Sequence, residues 1–352
     1  MAILPVSRPV LVCLLFFVSG SVFVAVSRAQ DASQLTLDYY KPTCPTALGI
    51  IRSEMECAVR ADPRNAAAMI RLHFHDCFVQ GCDGSVLLDD TYTVKGEKTA
   101  KPNKHSLIGF ELVDRIKNKL EAECPGAFSC ADLLAVAARD ATILVGGPYW
   151  DVPLGRKDSK TASPESAHTD IPMPDQGLLT LISKFIAKGL SATDMVALVG
   201  KSNINVRSRQ DARMVVGSHT VGMARCVNFR KRIHGEYQYT AAANGPISEA
   251  HLEKLQADCP LVGSDNNVTA MDYVTPTLFD NSFFQLLVRG EGLLDSDQVM
   301  YSSMLAFETG DLVRTYARDA IAFFRQFSDS MVKMGNITNP KGGEVRKNCR
   351  YI

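Results

Sequence analysis

The cysteines constrain this chain more than any other feature. Ten occur among 352 residues, and Cys13 lies inside an N-terminal apolar run, so nine remain beyond that run. In an exported protein such cysteines pair as disulfides, each of which stabilises the fold by about 2–4 kcal/mol. Because nine is odd, at least one thiol lacks a partner within the chain, and spacing alone leaves the pairing of the others open. The nine are Cys44, Cys57, Cys77, Cys82, Cys124, Cys130, Cys226, Cys259 and Cys349.

The N-terminus has the layout of a secretory signal peptide. Arg8 precedes an apolar run over residues 9–26, and small residues follow up to Ala29. The alternative is a transmembrane anchor, since the run approaches the ~18–20 residues that span a bilayer. The terminal position and the small residues at its end favour a signal peptide. We therefore predict cleavage after Ala29, secretion to the extracellular space and no membrane anchor.

The charge balance excludes some partners. The chain has 38 basic and 38 acidic residues, and removal of Arg8 and Arg28 with the leader leaves 36 against 38. A nearly neutral chain has no electrostatic reason to bind nucleic acid or an anionic membrane. Two sequons, which begin at Asn267 and Asn336, are compatible with glycosylation during secretion.

Helical patterns dominate the remaining sequence. Asp62-Pro63 is typical of a helix start, and Ser129 with Asp132 forms a capping-box-like start to a helix over 133–145. Further helices are predicted over 178–187 and 191–199, and one or two over 312–334, whereas strand patterns are short, as at 151–154. The predicted class is therefore all-α.

The most informative segment runs from Arg71 to Val79. On a helix, Arg71 and His75 are four residues apart and project from one face. A permanent cation beside an imidazole lowers the imidazole pKa and keeps it neutral, as a general base requires. The cation can also stabilise developing negative charge. The competing interpretation is a structural histidine beside a buried arginine.

Two kinds of metal site can be drawn from the same segment. A transition-metal site, such as the zinc of a hydrolase, would use His73, His75, Asp76, Cys77 and Cys82. Against it, thiolates are disfavoured in an oxidising compartment, and Cys77 with Cys82 makes a plausible disulfide loop. The turn that follows is rich in oxygen donors and glycine, a composition that suits calcium. Its residues are Asp76, Asp83, Ser85, Gly81 and Gly84.

The segment 71–85, read as RLHFHDCFVQGCDGS, resembles the distal-helix motif of the secretory plant haem peroxidases, also called class III. The resemblance extends from about residue 34 to 349, because further motifs occur in the family order. They begin at Gly96, Pro102, Val152, Gly217, Thr275, Asp295 and Met334.

The resemblance implies a two-lobed helical fold over 30–352 with one haem b between the lobes. It implies that the protein reduces hydrogen peroxide and oxidises phenolic or other aromatic donors by one-electron steps, as a monomer. On the distal side it implies His75 as the acid–base and Arg71 as the residue that assists peroxide cleavage. Asn103 would bond the far nitrogen of His75, with Glu97 behind Asn103. Phe74 would lie at the haem. On the proximal side it implies His219 as the iron ligand, with Asp297 accepting its other N–H.

The same resemblance implies two calcium ions, four disulfides and a donor site at Pro172. The distal calcium would bind Asp76, Val79, Gly81, Asp83 and Ser85. The proximal calcium would bind Thr220, Asp272, Thr275, Leu278 and Asp280. The disulfides would be Cys44–Cys124, Cys77–Cys82, Cys130–Cys349 and Cys226–Cys259, which leaves Cys57 unpaired.

The sequence departs from the family pattern at two places. Residues 201–217 are inserted directly before the proximal histidine motif, either as retained intron sequence or as a real surface loop. A real loop there could weaken haem retention, and the alternative function is thus a haem-poor, catalytically impaired extracellular protein. The second departure is Ile108, which stands where the family usually has arginine.

Overall fold

Helices make up most of this computed structural model, which describes residues 35–199, 219–235, 247, 249–339 and 343–352. The all-α prediction is confirmed. In these ranges the helices are α1 (Ala47–Ala61), α2 (Arg64–Phe78), α3 (Phe110–Glu123), α4 (Cys130–Leu144), α5 (Pro164–Asp170), α6 (Leu178–Ala187), α7 (Ala192–Val199), α8 (Cys226–Ile233), α9 (Glu249–Asp258), α10 (Ser282–Val288), α11 (Asp295–Ser302), α12 (Phe307–Arg318) and α13 (Ala320–Gly335).

Local capping sets the start of the helices that carry the site. The Asp62 carboxylate accepts the backbone N–H of Arg64 at 3.0 Å, and α2 begins at Arg64, one residue after the predicted first-turn Pro63. The Ser129 hydroxyl accepts the N–H of Asp132 at 3.1 Å and starts α4 three residues before the predicted 133. Within 312–334, Asp319 caps α13 and separates it from α12.

The strand prediction was wrong in position. In the predicted strand 151–154 only Leu154 pairs, through an isolated bridge to Thr36, because no neighbouring residues continue the ladder. The two short strands in the described residues are β1 (Met223–Arg225) and β2 (Val268–Ala270), which pair antiparallel. β1 follows His219 closely along the chain, and its pairing with β2 ties the segment after His219 to a distant part of the chain.

Two hydrophobic cores hold the helices. In the main core, α4 is buried from Cys130 to Thr142 and packs along α2. Ile108, the second departure noted above, packs against this core as an apolar residue. A smaller core joins β1, α8 and α9 around Phe229 and Leu255.

Four disulfides close the fold, and they are the four pairs that the resemblance implies. Three join distant parts of the chain and one closes the small loop after α2. Cys57 is free and exposed on α1. No helix in the described ranges is long and apolar enough to cross a membrane. The predicted leader and the insertion 201–217 lie outside the described residues.

Candidate active site

Helix α2 places Arg71 and His75 on one face, as their spacing predicts. Arg71 Nε donates to His75 Nε2 at 3.0 Å, and both side chains are buried. His73, two residues before His75, lies on another face of α2, where its ring contacts Cys77 Sγ at 3.6 Å. The helical period therefore divides the two histidines between two different environments.

Arg71 is held in place by the segment between a 3₁₀ turn (Glu97–Thr99) and α3. Its guanidinium donates to the carbonyl oxygens of Pro102, at 3.0 Å, and Ser106, at 2.6 Å, and to the Ser106 hydroxyl at 3.0 Å. Sequence reasoning missed Ser106, because a serine in a loop carries no recognisable signal. These bonds fix the guanidinium beside the imidazole before any substrate binds.

A hydrogen-bond relay sets the tautomer of His75. Asn103 Nδ2 donates to the Glu97 carbonyl oxygen at 2.9 Å, so Asn103 Oδ1 is the acceptor for His75 Nδ1 at 2.6 Å. Nδ1 therefore carries the proton, and Nε2 is the unprotonated nitrogen, whose lone pair accepts the hydrogen bond from Arg71. Glu97 acts here through its main chain, while its carboxylate oxygen Oε1 accepts the N–H of Ser163.

The electrostatics keep His75 uncharged. Burial and the Arg71 charge hold the pKa of His75 well below its usual value, and the bond to Asn103 opposes them only partly. A buried, neutral imidazole whose Nε2 lone pair faces a cleft can accept a proton.

His219 faces the same cleft from the C-terminal half of the chain. Its backbone N–H donates to the Val199 carbonyl oxygen at 2.7 Å, so the two described residues that flank 200–218 are joined directly. Its Nδ1 bonds the fully buried Asp297 carboxylate, and its ring meets Phe283 edge-on. Among the described residues no hydrogen bond engages His219 Nε2, which leaves that nitrogen available as a metal ligand.

One cleft contains both histidines. It encloses about 950 Å³ of empty space, including some open solvent. Apolar side chains line it together with the polar groups above. They are Phe74, Pro102, Pro172, Met173, Pro174, Leu181, Leu198, Val199 and Leu294. A mainly apolar lining with a few polar groups is typical of a site for a small-molecule ligand or cofactor.

A first cluster of oxygen atoms follows α2. Asp76 and Asp83 are buried, and burial together with their mutual repulsion raises the pKa of Asp76 well above its usual value. Ser85 Oγ and Glu97 Oε2 are buried beside them without a hydrogen-bond partner in the described structure. Buried carboxylates with orphaned oxygens are the donors that a hard cation satisfies.

The turn between Val79 and Asp83 has the geometry that such a cluster needs. Gly81 has a φ of +101°, and a Cβ there would lie 2.8 Å from the main chain of Thr338. Only glycine fits, because the conformation is left-handed and the neighbouring backbone leaves no room. Val79 ends α2 and turns its main chain into this loop.

A second cluster of oxygen atoms lies next to His219. Thr275 Oγ1 lies 3.1 Å from both Asp272 Oδ2 and Asp280 Oδ1. Thr220 Oγ1 donates to the Asp280 carbonyl oxygen at 3.1 Å, and Leu278 lies in the intervening loop. Burial raises the pKa of Asp272, and the neighbouring Asp280 adds to the effect.

The transition-metal alternative was wrong. Cys77 and Cys82 form a disulfide, so neither offers a thiolate, and His73 and His75 face different parts of the molecule. In the described ranges, one group of histidine, cysteine and acidic side chains is compact enough to hold a metal, namely His73, Cys77 and Cys82. The Cys77–Cys82 disulfide leaves this group without thiolate ligands.

The fold and the site together define a helical enzyme with a cofactor cleft between two histidines. The peroxidase family profile matches residues 51–319. The chain is 56% identical to Peroxidase 11 of Arabidopsis thaliana, over 96% of this chain and 97% of that protein. It is 43% identical to Peroxidase 4 of Vitis vinifera, over 94% and 95% of the two chains. The chain therefore belongs to the plant haem peroxidase family of class III, as its motifs predict.

Proposed function

We propose that this protein is a secreted haem peroxidase in which His75 and Arg71 act on hydrogen peroxide and His219 holds the cofactor. The observation that carries the proposal is that two imidazoles with different hydrogen-bond partners line one cleft. His75 Nε2 is unprotonated and accepts a hydrogen bond from Arg71, whereas the His219 ring is bonded through Nδ1 to the Asp297 carboxylate. In the overall reaction, one hydrogen peroxide and two phenols give two waters and two phenoxyl radicals.

The residues fit a haem. His219 Nε2 would ligate the iron, Asp297 would make that imidazole a stronger donor, and Phe74 and Pro172 would line the space around the macrocycle. The bound haem would supply the redox-active iron at which the peroxide bond is cleaved.

The distal residues manage the proton. His75 Nε2 takes a proton from one peroxide oxygen and returns it to the other, while Asn103 retains the Nδ1–H. Arg71 stabilises the negative charge that develops on the departing oxygen. The hydrogen bonds from Arg71 to Pro102 and Ser106 keep this charge in place, so little reorganisation accompanies the step.

The proposal is tested with the chain lacking residues 1–29, refolded with its disulfides and supplied with hemin and calcium. We expect a Soret band at one haem per chain and peroxide-dependent oxidation of guaiacol. Protein that stays colourless, or coloured protein that oxidises no phenol, would refute the proposal. The second outcome would favour the catalytically impaired alternative that the insertion suggests.

Secretion is part of the proposal. The N-terminal leader, four disulfides and two sequons support an extracellular location. Asn267 and Asn336 are both exposed, as glycosylation requires. We infer a monomer without a nucleic-acid or membrane partner.

The pH dependence should report the contact between Arg71 and His75. In R71L the pKa of His75 rises, because a positive charge that opposed protonation is gone. As the pH falls, His75 is then protonated at a higher pH than in the wild type. In a plot of the peroxide rate constant against pH, the decline on the acid side therefore moves upward by about one pH unit. Stopped-flow absorbance across the acid range measures it, and an unmoved or lowered limb would contradict the assignment.

We propose that each cluster of oxygen atoms binds one calcium ion. At a concentration 100 times its Kd, an ion adds about 2.7 kcal/mol to the free energy of unfolding. The variant D83N should therefore retain one calcium instead of two and unfold several degrees lower than the wild type in calcium. Metal analysis measures the calcium content, and calorimetry measures the unfolding temperature.

The control is D38N, because Asp38 is an exposed carboxylate outside the clusters. If D83N retained two calcium ions, the first oxygen cluster would not be a calcium site.

A further inference from the structure

The mouth of the cleft carries positive charge that the proposed chemistry does not use. Lys101, Lys104 and Arg225 line the cleft in addition to the buried Arg71, and no aspartate or glutamate is among its described lining residues. The chain as a whole is electrically balanced. The positive sign is thus a local property of this mouth.

The outer cations have no acidic partner. Lys101 and Lys104 are exposed, and no hydrogen bond or ion pair to another described residue engages either ammonium group. Arg225 donates to the neutral Asn266 side chain at 2.5 Å. Arg71, by contrast, directs its hydrogen bonds inward to His75, Pro102 and Ser106.

The acidic residues nearest along the chain to Pro172 do not reverse this sign. Asp170 pairs with Lys188 at 2.7 Å. Lys184 donates to the Ile171 carbonyl oxygen at 2.7 Å and interacts electrostatically with Asp170 and Asp175. Two lysines therefore balance the two carboxylates on this side of the cleft.

A bound haem would leave the mouth positive. Protohaem brings two carboxylates, whereas the cleft lining brings four cations. Net positive charge remains, and the two lysines are the exposed part of it. A low-dielectric cleft with one sign of charge at its entrance concentrates ligands of the opposite sign.

We propose that this mouth selects phenolic donors that carry a carboxylate, and that Lys101 and Lys104 determine the preference. The inference rests on the proposed peroxidase function and adds the charge class of the donor to it. Across about 6 Å of largely aqueous surroundings, each lysine should change the affinity for an anion about threefold, and the pair about tenfold. Salt should weaken the preference, because both ammonium groups are exposed.

The test compares three donors with the same phenol ring on the haem-loaded enzyme. They are 3-(4-hydroxyphenyl)propionate, its neutral amide and the cationic tyramine. Two quantities are measured at low ionic strength: the Kd without peroxide, from haem difference absorbance, and kcat/KM with peroxide. We expect the acid to bind most tightly and tyramine most weakly, with the differences shrinking as salt is added.

Variants then locate the preference. In K101Q and K104Q the ratio of acid to amide should fall about threefold, and in the double variant about tenfold, for both Kd and kcat/KM. K41Q removes an exposed lysine that does not line the cleft and should keep the wild-type ratio.

The outcomes separate this inference from the function on which it rests. If the amide and the acid bind and react equally well, or if K101Q/K104Q keeps the wild-type ratio, the lysines do not select the donor and the inference fails alone. If the haem-loaded enzyme oxidises none of the three donors, the proposed peroxidase function itself fails.

Discussion

Replacing His75 with leucine is expected to lower the rate constant for peroxide reduction by about 10³–10⁴-fold, at unchanged haem content. General acid–base catalysis by a placed imidazole contributes up to about 10⁴-fold. Leucine removes the Nε2 lone pair that Arg71 and Asn103 prepare, while it retains a buried side chain of similar volume. Stopped-flow absorbance of the haem measures the rate, and the Soret band measures haem per chain.

The matched control for H75L is H73Q. His73 is buried on the same helix, but its contact is with Cys77 Sγ and not with the cleft. Burial and the charge of Arg156 lower the pKa of His73 to about 3, so it is neutral at physiological pH. The peroxide rate of H73Q should stay within about twofold of the wild type. An H75L enzyme with a normal rate would end the assignment of His75 as the base.

Replacing His219 with alanine is expected to reduce haem per chain by about tenfold or more. The variant loses the imidazole whose Nε2 faces the cleft, and Asp297 is left as a buried carboxylate without its partner. Even changes in the groups behind a metal ligand typically cost about 10–100-fold in affinity, so loss of the ligand itself should cost at least as much. Soret absorbance per protein after gel filtration measures retention.

Two further measurements make the His219 result specific. H168A removes an exposed histidine outside the cleft and should retain one haem per chain. Added imidazole should restore part of the Soret band of H219A, because a free imidazole can occupy the space of the lost ring. Full haem content and full turnover in H219A would show that another group holds the iron.

Residues close together along the chain were predictable from local rules. Arg71 and His75 share a helix, so a four-residue spacing was enough to place them on one face. The cap at Ser129 marked the start of α4 to within three residues. The same local rules failed at 151–154, because a strand exists only through its partner, and there the partner contributes a single residue.

Residues distant along the chain were assigned through the resemblance, and only the folded chain brings them together. Asn103 reaches His75 across 28 residues and Asp297 reaches His219 across 78. No periodicity relates such pairs, and an isolated histidine or aspartate is usually a satisfied core residue. Ser106 and the unpaired lysines at the cleft mouth carried no signal in the sequence, since their role depends on what faces them.

The sequence by itself determined the helical class, the cysteine inventory and the two-residue distal motif, because helical period and capping act within a few residues. Tertiary structure decided which cysteine stays free, which tautomer His75 adopts and that His219 lines the same cleft as His75. It also decided the charge of the entrance. These properties arise from burial and from the approach of groups far apart in the chain, which set electrostatic energy through distance and solvent exposure.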